Sequence, residues 1–293
     1  MSAERPLTFQ LDQGFLFKYC DARGIDILQS LRLKVSPPNQ FNDPFEFPPK
    51  VDFCIDNTDV KNRLTDPNWL RSAWEPSETE TSFEQFLTRH QSTFENATPE
   101  QAEGVRRKFQ ENAVRDQEGV VNFISKTYAL ACYSELPDNL LMWSHYTDRH
   151  RGIVIQFDLK NSFFSEAANL MPVSYRSDRA SASMIGRGFV RRTRIVDCKN
   201  KKPCLSYERE WRQLFQLKDC TKVNDSEGTT CFYVNIPSGA IASVIFEVRC
   251  RPDTEMIVRE LKKRPDLQHV RLSRALLHER DFKLNIVAAD HKH

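Results

Sequence analysis

The residues best placed to do chemistry in this 293-residue chain are Glu208 and Glu210, one arginine apart in Tyr207-Glu208-Arg209-Glu210-Trp211-Arg212. On a strand, residues two apart project to the same face. Two carboxylates would then share one pocket, which tends to raise the pKa of one of them. On a helix they would diverge. The flanking Tyr207, Trp211, Leu214 and Phe215 favour a strand. The plain alternative is a surface strand with paired charges and one aromatic anchor. For Glu210 the choice is between a carboxylate poised for a ligand and a structural partner of Arg212 or a buried arginine.

Other candidates are more diffuse. Asn42, Asp43 and Glu46 lie in Phe41-Asn42-Asp43-Pro44-Phe45-Glu46-Phe47-Pro48-Pro49, where each proline fixes its own φ and restricts its predecessor. Such a loop serves a site or its own backbone hydrogen bonds. Between Arg176 and Lys202 nine basic residues face only Asp178 and Asp197. That run suits phosphate or nucleic acid, but it lacks regular aromatic interleaving for base stacking, and a solvated loop is the alternative. His145 and His150 are five apart, whereas a helical pair of zinc ligands is spaced by four. The eight cysteines include no Cys-x-x-Cys pair, so no metal is expected. Gly186-Arg187-Gly188 is followed by Arg191, which breaks the dinucleotide fingerprint, and no Walker A loop occurs.

The elements that must position these residues read as a mixed, strand-rich α+β pattern within a single domain over 1–293. Strands are expected at Phe15 to Tyr19, Leu31 to Ser36, Thr127 to Tyr133, Gly152 to Phe157, Met171 to Tyr175, Ser206 to Leu217, Thr230 to Ile236, Ile241 to Val248, and as a pair within Val270 to Val287. Short helices are expected near Ile25 to Leu31, from Asn139 to Tyr146 behind an Asp138 cap, and near Thr254 to Lys263. A helical insertion at about 60–120 and a basic loop at about 176–203 interrupt the pattern. The 40% hydrophobic and 28% charged fractions describe a globular chain. No apolar run is long enough to cross a bilayer. The opening MSAERPLTFQ has no apolar leader segment, so a cytoplasmic location with reduced thiols is expected.

Together these segments resemble a large, mainly bacterial family, domain of unknown function twenty-nine seventy-one. The resemblance rests on Phe17-Lys18-Tyr19, Leu33 to Ser36 leading into Asn42-Asp43-Pro44-Phe45-Glu46, Cys132-Tyr133-Ser134, Leu141-Met142-Trp143-Ser144-His145-Tyr146, Gly152 to Phe157, and Tyr207 to Arg212. These blocks fall in order from residue 15 to about 215. Their order is in turn similar, as a remote analogy, to that of ADP-ribosyltransferases. Lys18-Tyr19 stands at the position of the first strand, Tyr133-Ser134 at the middle strand, and Glu208-x-Glu210 at the late glutamates.

That resemblance implies an ADP-ribosyltransferase-like fold and an NAD-consuming transferase or hydrolase in a toxin, effector or phage-defence setting. NAD is the implied substrate, and a protein or nucleic acid the acceptor. Glu210 would stabilise the oxocarbenium-like charge on the ribose, and Glu208 would orient or deprotonate the nucleophile. Lys18, Tyr19, Ser36, Asn42, Asp43, Glu46, Tyr133, Ser134, Trp143, His145, Tyr146 and Arg212 would bind NAD, with Tyr133 or Tyr146 stacking on nicotinamide. The alternatives are a nucleic-acid-binding or nucleic-acid-processing protein and a non-catalytic interaction domain. No membrane partner is expected.

Overall fold

The computed structural model describes residues 14–41, 50–52, 82–95, 121–122, 124–165, 170–175, 181–183, 200–225 and 228–289, with isolated positions between 67 and 107. In chain order the strands are β1 (Phe15–Cys20), β2 (Arg32–Val35), β3 (Lys50–Asp52), β4 (Tyr128–Ser134), β5 (Ile153–Asp158), β6 (Leu170–Pro172), β7 (Ser174–Tyr175), β8 (Ser181–Ser183), β9 (Asn200–Lys201), β10 (Glu210–Gln216), β11 (Thr221–Asn224), β12 (Thr230–Asn235), β13 (Ile241–Phe246), β14 (Arg271–Leu277) and β15 (Leu284–Ala288). The helices are α1 (Gly24–Ser30), α2 (Phe83–Glu95), α3 (Leu140–Tyr146), α4 (Ser162–Ser165) and α5 (Pro252–Leu261).

The chain divides into two compact units. The larger comprises Met1–Glu46, Ile124–Asp178 and Lys199–His293. Its main sheet has eight strands in the order β15-β14-β13-β5-β1-β4-β10-β6. β13 and β14 run parallel, with α5 between them in sequence, and the other neighbours are antiparallel. A three-stranded sheet, β11-β12-β2, belongs to the same unit. The architecture is therefore α+β and strand-rich.

Period-two alternation sorts the side chains onto the two faces of the main sheet. Leu16, Ile153, Ile155, Phe157, Val244 and Phe246 pack in one buried cluster with Ile25 and Leu28 of α1 and Val258 of α5. Phe17, Tyr19, Val154 and Ile245 point the other way, onto Met142 and Trp143 of α3. β5 is covered on both faces, which is why its sequence is a near-continuous apolar run. Gly152, just before β5, lies so close to β1 that an added Cβ would meet the Cys20 carbonyl oxygen at 2.0 Å.

Three local expectations need correction. The cap of α3 is Asn139, whose side chain accepts from the backbone N–H of Leu141 and Met142; Asp138 lies one residue too early. The run Met171 to Tyr175 is two short strands broken at Val173. The run from Ser206 begins as a 3-10 turn, Pro203–Glu208, and becomes a strand only at Glu210. Most of the expected helical insertion lies outside the described residues, as do Asn42, Asp43 and Glu46 and most of the basic run.

The smaller unit comprises Phe47–Phe123 and Arg179–Cys198. Within it β3 pairs parallel with β8, Lys50 opposite Ser181, so the two chain segments of this unit meet in one ladder. α2 starts behind Ser82, whose hydroxyl accepts from the Gln85 N–H. Among the described residues, no helix of either unit is long and apolar enough to cross a membrane.

Candidate functional site

A break in the main sheet creates a cavity in the larger unit. β1 pairs with β5 along its full length but meets β4 only at Phe17 opposite Ser134. At the other end of β4, Leu130 exchanges both backbone hydrogen bonds with Ser36, just past β2. Residues two apart on a strand direct their backbone groups to the same side. Cys132 thus faces the gap between these two attachments, and the Lys18 ammonium reaches its carbonyl at 3.2 Å. The cavity at this gap has a volume of about 550 Å³, within the range of small-molecule sites.

The floor is a buried charge cluster. Lys201, at the end of β9, places its ammonium 2.6 Å from Glu208 Oε2 and 2.8 Å from Glu210 Oε2. Arg212 donates to Glu210 Oε1 at 2.9 Å and to Oε2 at 3.2 Å. The Tyr146 hydroxyl donates to Glu208 Oε1 at 2.9 Å. Strand alternation is not what joins the two glutamates, because Glu208 closes the 3-10 turn. Instead Arg209 adopts φ 42°, the left-handed region, and this residue swings Glu208 and Glu210 onto the same lysine. Its own side chain turns away to Glu135.

Burial and charge pull these groups in opposite directions. Burial works against the Lys201 charge, but Glu210 and Glu208 outweigh it and hold the ammonium above its ordinary pKa. Burial raises Glu210, and Lys201 and the Cys132 thiol offset this only in part. Burial, then the Glu210 charge, pushes the Cys132 thiol well up, so it stays a neutral donor. Burial lowers Arg212, yet a guanidinium with two hydrogen bonds to a carboxylate remains a cation at neutral pH. Lys201, Arg212 and the Cys132 thiol thus all donate to the two oxygens of Glu210.

The expected site residues divide into three groups. Lys18, Tyr19, Ser36, Tyr133, Ser134, His145, Tyr146, Glu208 and Glu210 line the cavity. Several are also bound into the scaffold. Tyr19 donates to the Leu136 carbonyl and packs edge-on against Trp143. The Ser134 hydroxyl donates to the Glu208 carbonyl at 2.7 Å. Tyr133 sends its hydroxyl to Gln213 and packs on Phe157 and Phe164, which commits it to the core rather than to stacking on a ligand. Tyr146, by contrast, is 43% exposed. Trp143 and Arg212 do not line the cavity. Trp143 is fully buried and bonded to the Pro137 carbonyl, and Arg212 lies behind Glu210 under the Phe41 ring. Asn42, Asp43 and Glu46 lie outside the described residues.

Lys201 is the functional residue that sequence reasoning passes over. It is one of nine basic residues in a run, and nothing local separates it from its neighbours. The available signal was chemical: two carboxylates in one pocket require cations, and Lys201 lies only seven residues before Glu208. Lys34, Cys132 and Tyr207 also line the cavity. Among the described residues, no cluster of His, Cys, Asp and Glu side chains is arranged to hold a metal ion.

Fold and site together define a strand-rich α+β protein with a charged cavity at a gap in its main sheet. Residues 142–213 match the model of a family described as "Protein of unknown function (DUF2971)". The match takes in the Met142 to Tyr146 block and the Tyr207 to Arg212 block, and so both glutamates. No curated protein and no solved structure matches the chain.

Proposed function

We propose that the larger unit binds NAD in this cavity and breaks the nicotinamide–ribose bond, as an ADP-ribosyltransferase or NAD glycohydrolase with a correspondingly similar core. One observation carries this reading. Lys18-Tyr19 on β1, Tyr133-Ser134 on β4 and the Glu208/Glu210 pair at the start of β10 come from neighbouring strands to one cavity. That convergence is what the resemblance to ADP-ribosyltransferases demands of three blocks so far apart in sequence.

The chain's own residues fit the chemistry. The bond to nicotinamide breaks with its electron pair leaving on the base, and the ribose carbon develops oxocarbenium-like charge. Glu210 supplies negative charge at the cavity floor against that carbon. The incoming hydroxyl or water loses its proton to Glu208 as it bonds to the carbon, and Tyr146 orients that carboxylate. The acceptor, a protein or a nucleic acid, and a toxin, effector or phage-defence setting belong to the same proposal and rest on the resemblance. The test is release of nicotinamide from NAD by the parent protein and by Glu208→Gln. Turnover in the parent, reduced about 100- to 1000-fold in a folded variant, supports the reading. No release by the parent sinks it.

The full engagement of Glu210 favours a second reading, a non-catalytic ligand-binding domain. Both of its oxygens are taken by Lys201 and Arg212, as in a structural ion cluster. Under this reading NAD binds and is recovered intact.

A further inference from the structure

We propose that the gap along β4 is a phosphate-binding slot, with Lys18 and Lys34 as its two cations, and that the ligand is an organic diphosphate. This inference rests on the reading of the cavity as a ligand site, and it says which part of the ligand goes where.

Among the described residues of the cavity wall, the charges do not cancel. Glu208 and Glu210 are satisfied by Lys201 and by Arg212 behind them. That leaves the two other lysines of the lining, Lys18 and Lys34, and neither meets a carboxylate among the described residues. Lys18 is half-buried. It meets two neutral groups, the Cys132 carbonyl and the face of Tyr133 with its centroid 5.7 Å away. An ammonium has three donors, and these contacts use one of them directly. A partly desolvated cation without a counter-ion is costly, and an anion entering the cavity relieves that cost.

The two lysines come from opposite sides of the break. Lys18 stands on β1, which leaves β4 after Ser134. Lys34 stands on β2, two residues before Ser36 joins β4 at Leu130. A ligand group in the gap therefore has a cation on each side and strand backbone beneath it. Two cations call for two anionic charges. A diphosphate supplies them, and a lysine ammonium binds phosphate oxygens as a compact point charge. The aromatic rim of Tyr146, Tyr207 and His145 at the α3 side leaves room for a flat base at the other end.

Titration calorimetry with inorganic pyrophosphate, ADP and adenosine tests this directly. Pyrophosphate and ADP should bind, and adenosine should bind about 10- to 100-fold more weakly than ADP. Lys18→Gln should weaken ADP by about tenfold or more, and Lys34→Gln by less, because Lys34 is exposed. Raising the salt concentration should weaken binding to the parent more than to either variant. If Lys18→Gln does not fold, Lys34→Gln and the ADP–adenosine comparison still decide. Equal affinity for ADP and adenosine, or unchanged affinity in Lys34→Gln together with a flat salt response, overturns the slot. Pyrophosphate binding in a protein that releases no nicotinamide upholds the slot and sinks the cleavage reading alone.

Discussion

Glu135 and Arg209 hold each other twice, through backbone and side chain. The Glu135 N–H donates to the Arg209 carbonyl at 3.1 Å, and the Arg209 guanidinium returns to the Glu135 carboxylate at 2.6 and 2.7 Å. The same carboxylate accepts from the Trp211 indole at 2.7 Å. This clamp holds a non-glycine residue at φ 42°, and that conformation brings Glu208 and Glu210 onto Lys201. A left-handed conformation costs a residue with a Cβ about 1–2 kcal/mol. Arg209→Ala loses the clamp and keeps the cost, whereas Arg209→Gly loses the clamp and escapes it. Denaturant unfolding should therefore find Arg209→Gly about 1 kcal/mol more stable than Arg209→Ala. Alanine equal to or better than glycine would show that the strain is not there.

That clamp also marks the limit of what the sequence makes legible. Ile153 to Phe157 and Ile241 to Phe246 are readable as strands because burial leaves a plain apolar signature. The blocks that converge on the cavity are readable as blocks, because their residue types are unusual together. Their mode of convergence is not. An arginine at positive φ carries no local signal, so Glu208 and Glu210 are readily mistaken for one strand face. Lys201 is hidden among exposed-looking basic residues, since only burial distinguishes it. Asp138 and Asn139 are both good caps, and the choice depends on where α3 docks.

Asn139 does two jobs that can be separated. Its Oδ1 accepts from the N–H groups of Leu141 and Met142, and its Nδ2 donates to the Tyr207 carbonyl at 2.7 Å. The first caps α3, and the second ties α3 to the turn that carries Glu208. Asn139→Ala should cost about 1–2 kcal/mol from the lost cap, with the Tyr207 bond lost besides. Asn139→Asp keeps the cap, but it loses the donor and turns a second oxygen toward the Tyr207 carbonyl. Thermal unfolding should rank parent, then aspartate, then alanine. An aspartate variant no better than alanine would remove the capping argument.

Glu255 gives the fold a pH response away from the cavity. It accepts from Arg259 one turn along α5 at 2.8 Å and from Arg274 on β14, so it staples the helix to the sheet. Burial pushes its carboxyl up, but the Arg274 and Arg259 hydrogen bonds outweigh burial and hold it below the ordinary glutamate value. A depressed acid contributes stability that is present above its unfolded pKa, about 4.3, and lost as pH falls through the folded one. Glu255→Gln should therefore cost about 1 kcal/mol at pH 7, and less and less below pH 4.5 as the parent loses the same interaction. Melting temperatures of both proteins from pH 7 to pH 3 should converge at the acid end. A constant difference across that range would mean that the glutamate charge contributes nothing.

The two roles open to Glu210 differ in what a compensating change can restore. Glu210 is buried against Lys201 and Arg212. Removing one partner of a buried pair typically costs about 3–5 kcal/mol, chiefly because the remaining charge is left without a partner. Glu210→Gln should show a loss of that order in urea unfolding. Lys201 still keeps Glu208, while the buried Arg212 guanidinium loses both of its hydrogen bonds to Glu210. Replacing both members, Glu210→Met with Arg212→Met, removes the guanidinium together with its carboxylate and should recover much of the stability lost in Glu210→Met alone. Nicotinamide release should not recover in the double variant, because methionine supplies no charge against the ribose. Recovery of stability without recovery of turnover assigns Glu210 to chemistry as well as to structure. Recovery of both would make it a structural residue only and leave Glu208 as the carboxylate that acts.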